Sequence, residues 1–122
     1  MNYGFVVTGV SRSLTHELVR HRAGFAYSQR SQRFVDESDA PFVIPPALAE
    51  EREGVNEARN ILKKAVESAN KSYKDLVLSL ENALPKEFFA TKSDHRKAVR
   101  QAARSVLPNA NETKIFVTAN VR

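Results

Sequence analysis

The stretch HELVRHRAGFAYSQRSQRF, from His16 to Phe34, carries six basic side chains in nineteen residues, and none of them is lysine. Lysine is used freely elsewhere, for example at Lys63 and Lys64. Arginine is preferred where a planar fork must hold a phosphate or carboxylate through two hydrogen bonds, or stack on an aromatic ring. The stretch therefore predicts an anion or nucleotide site on a helix end and the loop after it. A solvated basic helix end followed by a polar loop is the alternative interpretation of the charge pattern.

The residues before and within this stretch predict a strand and then a helix. The run YGFVVTGV at 3–10 is β-branched and aromatic and contains two glycines, which favours a strand. A helix is predicted from about Ser13, whose hydroxyl can cap it, to Ala23 and Gly24. Three polar residues of that helix share an arc of about 100° beside its apolar edge: Glu17, Arg20 and His21.

A long loop is predicted from Gly24 to Pro46, and loops of that length in a compact domain are usually functional. The pattern then predicts a long amphipathic helix from about Ala47 to Pro85, with a weak point at Gly54. Its apolar stripe is interpreted as core or subunit interface. The stripe consists of Val55, Ala58, Leu62, Ala65, Val66, Ala69, Tyr73, Leu76, Leu80 and Leu84.

The remaining residues predict a third helix and a final strand. The helix runs from Ser93 to about Leu107, where Pro108 stops it. It is expected to bury Val99, Ala102, Ala103 and Val106, and it carries Arg96, Arg100 and Arg104 along one flank. The run TKIFVTANV at 113–121 alternates as a strand, with Ile115 and Val117 facing one side. The fold class is therefore α+β, with short antiparallel-type strands, one long amphipathic helix and two shorter helices.

Composition bounds the class of protein. A chain of 122 residues that is 42% hydrophobic and 27% charged is long enough for one domain over residues 1–122. Without cysteine it has no disulfides, thiolate metal sites or cysteine nucleophile, and with three histidines a metal site is not expected. No signal peptide or membrane-spanning run is recognisable, so we expect a cytoplasmic protein that does not bind membranes. A net charge of +5 favours anionic partners.

Common catalytic and nucleotide-binding signatures are absent from the sequence. It contains no GxGxxG, GxxxxGK[ST], HExxH or GxSxG pattern. Ser28 and Ser31 have no histidine or aspartate in a recognisable nucleophile elbow beside them, so their hydroxyls are expected to bind a ligand. The residues alone therefore indicate a basic, arginine-rich anion site.

A resemblance to a known family starts at the same residues. RHR at 20–22, followed by YSQRSQRF at 27–34, resembles the RHRxxSxNExSxR signature of the flavin-dependent thymidylate synthases. The blocks SRSLTHELVRHR, FVIPP and RQAARSVLPNANETKIFVTAN resemble actinobacterial-type members in the same order. The resemblance implies the central part of that family's fold. It also implies reductive methylation of dUMP to dTMP, with FAD as cofactor, NADPH as reductant and methylenetetrahydrofolate as one-carbon donor. The family uses no cysteine nucleophile.

The resemblance also implies roles for individual residues. The positions that match flavin contacts of the family are Arg20, His21, Arg22, Gln29, Asn120 and Arg122. The positions that match dUMP contacts are Arg12, Glu17, Gln29, Arg30, Ser31, Gln32, Arg33 and Arg104. Family active sites form between subunits, so a dimer or tetramer is expected.

The sequence also departs from the family pattern. Four residues, 23–26, separate RHR from YSQ where the pattern has three, and Ser28 and Gln29 replace its Asn-Glu pair. Relative to the family, the chain is expected to be truncated at both ends. The arginine that is thought to ionise the uracil in the family has no counterpart here, so the catalytic residue is unknown. Little turnover is therefore expected from this chain alone. A non-catalytic basic module that binds nucleotides or nucleic acid is the alternative function, although nucleic acid is the less expected partner.

Overall fold

The structure is a computed structural model and describes residues 1–120. Its helices and strands follow the chain in the order β1 (Asn2–Ser11), α1 (Arg12–Leu18), β2 (Phe25–Gln29), α2 (Val55–Ala83), α3 (Lys92–Ala103) and β3 (Glu112–Asn120). Short 3-10 turns lie at Pro46–Leu48, Lys86–Phe88 and Arg104–Val106. The α+β class is confirmed, with one long and two shorter helices.

The three strands form one antiparallel sheet with β3 in the centre, in the order β1-β3-β2. β1 pairs with β3 from Asn2 opposite Asn120 to Ser11 opposite Glu112, with an irregularity between Val7 and Val10. β2 pairs with the other edge of β3. Because β1 and β2 share β3 as a neighbour, the start of α1 and the end of β2 come close together.

The core has two parts that one irregular segment joins. α2 packs along α3, and α1 packs against β1 and β3. The segment 31–43 lies between these parts, since Phe42 bridges to Asn111 and the Tyr73 hydroxyl accepts the Glu37 N–H at 3.5 Å. The buried apolar residues are Ala40, Val66, Tyr73, Val99, Ala103, Ile115 and Val117. No helix within residues 1–120 is long and apolar enough to cross a membrane.

The predicted first helix and the loop after it need correction. α1 ends at Leu18 instead of Ala23, and its N-cap is Ser11, whose hydroxyl accepts the Leu14 N–H, instead of Ser13. Residues 20–22 therefore lie in a turn beyond the helix. The predicted loop contains the strand β2, which was missed because its hydrogen-bonding partner β3 lies far away in the sequence.

The predictions for the later elements are mostly confirmed. α2 begins at Val55 and not near Ala47, because Gly54 takes the left-handed conformation (φ 82) before it. The stripe residues of α2 are buried or half-buried except for Ala65. On α3, Val99 and Ala103 are buried, but Ala102 is exposed because the side packed against α2 follows the i, i+4 row from His95. Ile115 and Val117 share the buried face of β3, as expected.

Candidate functional site

Two of the arginines that the sequence singles out meet where α1 begins and β2 ends. Arg12 is the first residue of α1, and its Nη2 donates to the carbonyl of Arg30 at 2.8 Å. The backbone N–H of Arg12 donates to the carbonyl of Asn111 at 3.1 Å, and that of Arg30 to the carbonyl of Lys114 at 2.9 Å. The sheet and the residues before it therefore fix both backbones.

Arg104 joins these two residues electrostatically. Burial lowers the pKa of the Arg12 guanidinium, the nearby Glu37 carboxylate opposes that shift, and the charges of Arg104 and Arg30 lower it further. The charges of Arg30 and Arg104 therefore both act on the Arg12 guanidinium. We call Arg12, Arg30 and Arg104 the arginine cluster. Such a convergence of planar forks suits a multiply charged anion.

Glu37 is the buried counter-ion of the cluster and was missed from the sequence. Only 2% of it is exposed, and its Oε1 lies 3.3 Å from Nη2 of Arg30. Its Oε2 has no hydrogen-bond partner within residues 1–120. Burial raises the pKa of the Glu37 carboxyl, against the lowering effect of Arg30 and Arg12. No local pattern could have identified it, because Glu37 lies in an irregular segment and its partners are on other elements.

Gln29 connects three elements beneath the cluster. Its Nε2 donates to Thr15 Oγ1 at 2.9 Å and to Thr113 Oγ1 at 3.4 Å. Thr15 Oγ1 in turn donates to the carbonyl of Arg12 at 3.0 Å. Both threonines are buried. The amide nitrogen of Gln29 is thus used inside the fold, and this structural role was not predicted.

The residues after Arg30 form a turn that carries Arg33 away from the cluster. The Ser31 hydroxyl accepts the N–H of Arg33 at 3.2 Å, and the Ser31 carbonyl accepts the N–H of Val35 at 3.2 Å. Gln32 is buried in this turn. The guanidinium of Arg33 lies 6.0 Å from the ring centroid of Phe34. The residues matched to dUMP contacts therefore fall into separate groups.

The RHR tripeptide forms an exposed basic turn after α1. The Tyr27 hydroxyl donates to the carbonyl of His21 at 2.6 Å and holds the turn against β2. Arg20 makes only a surface ion pair with Glu17 at 3.7 Å, so Glu17 belongs to this turn and not to the cluster. In the part of the chain that the structure describes, the side chains of His21 and Arg22 themselves make no hydrogen bond. Two guanidinium groups and an imidazole are thus exposed on one turn, a donor set that fits the pyrophosphate of a dinucleotide.

Asn120 supports that turn from β3. Its backbone N–H donates to the carbonyl of Gly24 at 2.9 Å. Gly24 has a φ of +77, which L side chains rarely adopt, and a Cβ there would require the Asn120 side chain to move. Glycine is therefore strongly favoured at position 24. Arg122, the other predicted flavin contact near this end, lies outside the described residues.

Comparison with known proteins identifies a matching family and relatives of similar sequence. The model of the thymidylate synthase complementing protein family matches residues 1–122. Proteins named flavin-dependent thymidylate synthase are 48% identical over 122 residues in Mycobacterium sp. (strain KMS) and 49% identical over 118 residues in Mycobacteroides abscessus. Each match covers 97% of this chain, but 45% and 44% of the respective relative. The chain thus spans less than half the length of these relatives.

Solved structures show the same fold at lower identity. The UMP/dUMP methylase PolB from Streptomyces cacaoi, bound with 5-Br dUMP, superposes with a TM-score of 0.69 at 20% identity, over 98% of this chain and 49% of that one. The same protein bound with 5-Br UMP gives a TM-score of 0.68 at 19% identity. At these identities the likeness concerns the arrangement of helices and strands.

Proposed function

The chain belongs to the thymidylate synthase complementing protein family, and we propose that it forms the nucleotide- and flavin-binding part of a flavin-dependent thymidylate synthase. The resemblance found in the sequence is confirmed at the level of the family. The reaction that we propose is the reductive methylation of dUMP to dTMP. Methylenetetrahydrofolate is the proposed one-carbon donor and NADPH the proposed reductant.

The observation that carries the proposal is the meeting of two arginines, since Arg12 Nη2 donates to the Arg30 carbonyl at 2.8 Å and the charge of Arg104 also acts on Arg12. Three guanidinium groups with Glu37 as their buried counter-ion leave positive charge that a phosphate dianion can neutralise. Each charge-assisted contact to the phosphate is worth about 1.5 to 3 kcal/mol. The backbone hydrogen bonds that hold Arg12 and Arg30 mean that little rearrangement is needed when the nucleotide arrives.

Neighbouring residues are proposed to orient the rest of dUMP. Among residues 1–120 the amide oxygen of Gln29 makes no hydrogen bond, so it is the atom that we assign to the ligand. Ser31, Gln32 and Arg33 supply backbone and side-chain donors on the turn that follows Arg30 of the cluster. Glu17 is proposed as a further contact from the side of the RHR turn.

FAD is proposed to bind at that turn through Arg20, His21 and Arg22, with Gln29, Asn120 and Arg122 as further contacts. When bound, FAD supplies the hydride for the reduction. The chain's own residues neutralise the pyrophosphate, and the Tyr27 hydroxyl fixes the turn on which the cations stand. The glycine at position 24 keeps Asn120 close behind them.

Self-association into a dimer or tetramer in the cytoplasm completes the proposal. On one face of the sheet, Val6 lies opposite Phe116 in the register of β1 and β3. These side chains are 66% and 45% exposed. Apolar side chains that are exposed together on a sheet favour burial against another chain. A second copy is the partner that we propose.

Calorimetric titration with dUMP tests the nucleotide site. Arg104→Ala should weaken dUMP binding about tenfold or more, because it removes one charge-assisted contact. Arg52→Ala is the matched control, since Arg52 is an exposed arginine whose ion-pair partner is Glu50. Equal affinities of the two variants would refute the proposed site. If loss of Arg96 or Arg100 weakened binding to DNA as strongly, with a steep dependence on salt, the nucleic-acid alternative would be favoured.

Flavin binding needs its own test. Titration of FAD, followed by flavin fluorescence, should give saturable binding that Arg22→Ala weakens and Arg52→Ala does not. A protein that binds dUMP but not FAD would retain the nucleotide site and lose the flavin assignment.

A further inference from the structure

A cavity of about 680 Å³ lies between the end of α2 and the beginning of α3, beside the short 3-10 turn that connects the two helices. We call it the α2–α3 cavity. None of the residues proposed to contact dUMP or FAD lines it. Its volume is in the range of small-molecule sites. The cavity is therefore a separate candidate site at the end of the molecule where α2 meets α3.

The charges of the residues that line the cavity do not balance. Lys86, Lys92 and Arg96 are cationic, and Glu81 is the one carboxylate among the lining residues. None of these four side chains makes an ion pair or a hydrogen bond within residues 1–120. Three positive charges and one negative charge leave an excess of two positive charges. A phosphate monoester, which carries nearly two negative charges at neutral pH, would neutralise that excess.

His95 contributes a buried ring to the same cavity. The residue is only 6% exposed, and the ring of Phe89 packs edge-on against it with 5.1 Å between the centroids. Its Nε2 lies 3.2 Å from the carbonyl of Leu84. Because a carbonyl only accepts hydrogen bonds, Nε2 of the neutral ring is the donor and Nδ1 remains an acceptor. No group in the described part of the chain donates to Nδ1, so this acceptor is left for a ligand.

Two further acceptors line the cavity beside the cations. Asn82 donates from Nδ2 to the carbonyl of Leu78 at 2.9 Å, and its Oδ1 makes no hydrogen bond to any other described residue. The carboxylate of Glu81 is the second acceptor. Together with Nδ1 of His95 they call for hydrogen-bond donors on the ligand, and hydroxyl groups supply such donors.

The two sets of groups together define the ligand. We propose that the α2–α3 cavity binds the phosphate monoester of a polyhydroxylated small molecule, with the phosphate on the cations and the hydroxyl groups on the acceptors. The sources of such a group are a free sugar phosphate or the sugar phosphate of a nucleotide. The site is independent of the proposed function, because it shares no residue with the arginine cluster or the RHR turn.

Calorimetric titration of the whole chain with D-ribose 5-phosphate tests the phosphate end of the site. Lys86→Gln and Lys92→Gln should each weaken binding about tenfold, because each removes one charge-assisted contact. Lys63→Gln is the matched control, since Lys63 is exposed on α2 and does not line the cavity. Arg104→Ala reports on the arginine cluster.

Inorganic phosphate and adenosine monophosphate test the rest of the ligand. Asn82→Ala removes one acceptor, so it should weaken ribose phosphate about threefold and leave inorganic phosphate unchanged. Glu81→Gln should strengthen inorganic phosphate, because a like charge is removed. If adenosine monophosphate binds more tightly than ribose phosphate and responds to Lys92→Gln, the source is a nucleotide. Weaker binding of adenosine monophosphate assigns the cavity to a free sugar phosphate.

The outcomes separate the cavity from the proposed function. Equal affinities of the wild type, Lys92→Gln and Lys63→Gln for ribose phosphate would refute the cavity, and so would lack of binding by every probe at millimolar concentration. If Arg104→Ala weakens ribose phosphate and Lys92→Gln does not, the phosphate occupies the arginine cluster, so the cavity is refuted and the nucleotide site is supported. If Lys92→Gln weakens ribose phosphate while dUMP does not bind, the cavity stands and the proposed function fails.

Discussion

Glu37→Gln is expected to raise the stability of the fold near neutral pH, although it removes a buried ion pair. Only 2% of Glu37 is exposed, and burial raises the pKa of its carboxyl in spite of the opposing charges of Arg30 and Arg12. The direction of that shift means that the free-energy cost of burying the charge exceeds the stabilisation that the two arginines provide. A neutral amide of the same shape avoids this cost.

The magnitude follows from the exposure of the partner. Replacing both partners of a buried ion pair by well-packed hydrophobic residues is often neutral or stabilises by about 1 to 4 kcal/mol, whereas removing one partner of a fully buried pair costs about 3 to 5 kcal/mol because the other charge stays buried. Here one partner stays charged, but the Arg30 side chain is 31% exposed and its charge can still be hydrated. We therefore expect the low end, a gain of about 1 kcal/mol in the free energy of unfolding. In a chain of this size that raises Tm by about 4 °C.

The pH dependence fixes the sign of the effect. Because the carboxyl of Glu37 has a higher pKa in the folded state than its ordinary value of 4.5, the folded state holds the proton more tightly. The stability that this proton contributes is fully present below the unfolded pKa and is lost as pH rises through the folded pKa. The advantage of Glu37→Gln over the wild type should therefore grow above pH 4.5. Its slope cannot exceed about 1.4 kcal/mol per pH unit for one proton.

Urea unfolding, followed by circular dichroism at several pH values and one protein concentration, measures this difference. Glu51→Gln is the control, because Glu51 is exposed, and its difference from the wild type should stay near zero at every pH. A loss of more than about 2 kcal/mol for Glu37→Gln at neutral pH would refute the reasoning, because the ion pair would then outweigh the cost of burial. A difference that does not change with pH would refute it as well.

Two further predictions concern the backbone around the candidate sites. Gly24→Ala should lower the free energy of unfolding by about 1 to 2 kcal/mol for the left-handed conformation alone, and by more because the new Cβ meets Asn120. Gly9 has a φ of +68 but open space around it, so Gly9→Ala should show only the conformational cost in the same urea assay. Ser11→Ala should cost about 1 kcal/mol as the loss of an N-cap, whereas Ser13→Ala should cost less than about 0.5 kcal/mol. Equal costs within either pair would contradict the corresponding assignment.

The sequence predicted the long, regular elements of the fold better than its short strand and its element boundaries. Periodicity identified α2, α3 and β3, because each buries a regular face over many residues. It missed β2, since a strand of five residues with mixed polarity is stabilised by hydrogen bonds to β3 and carries little signal of its own. It placed the start of α2 too early, because Gly54 sets the boundary through its backbone conformation and not through hydrophobicity.

The candidate site could be predicted only in its residue types. Arginines at fixed spacing indicated an anion, and the family signature supplied the assignments of individual positions. No pattern in the sequence separates Arg33 from the arginine cluster, because that separation depends on the turn held by the Ser31 hydroxyl. Glu37 was missed for the same reason, since its role comes from being buried beside Arg30.

The way in which the cluster is held explains how like charges can stay together without a ligand. Arg12 and Arg30 are positioned by hydrogen bonds to backbone carbonyls, of Asn111 and Lys114 respectively, and these bonds do not depend on the charge of either side chain. The ion pair with Glu37 adds a counter-charge whose burial lowers stability at neutral pH. Stability alone therefore does not explain that carboxylate. Anion binding does explain it, because the carboxylate helps to hold several guanidinium groups in a fixed geometry, and a preorganised cluster binds an anion without first having to be ordered.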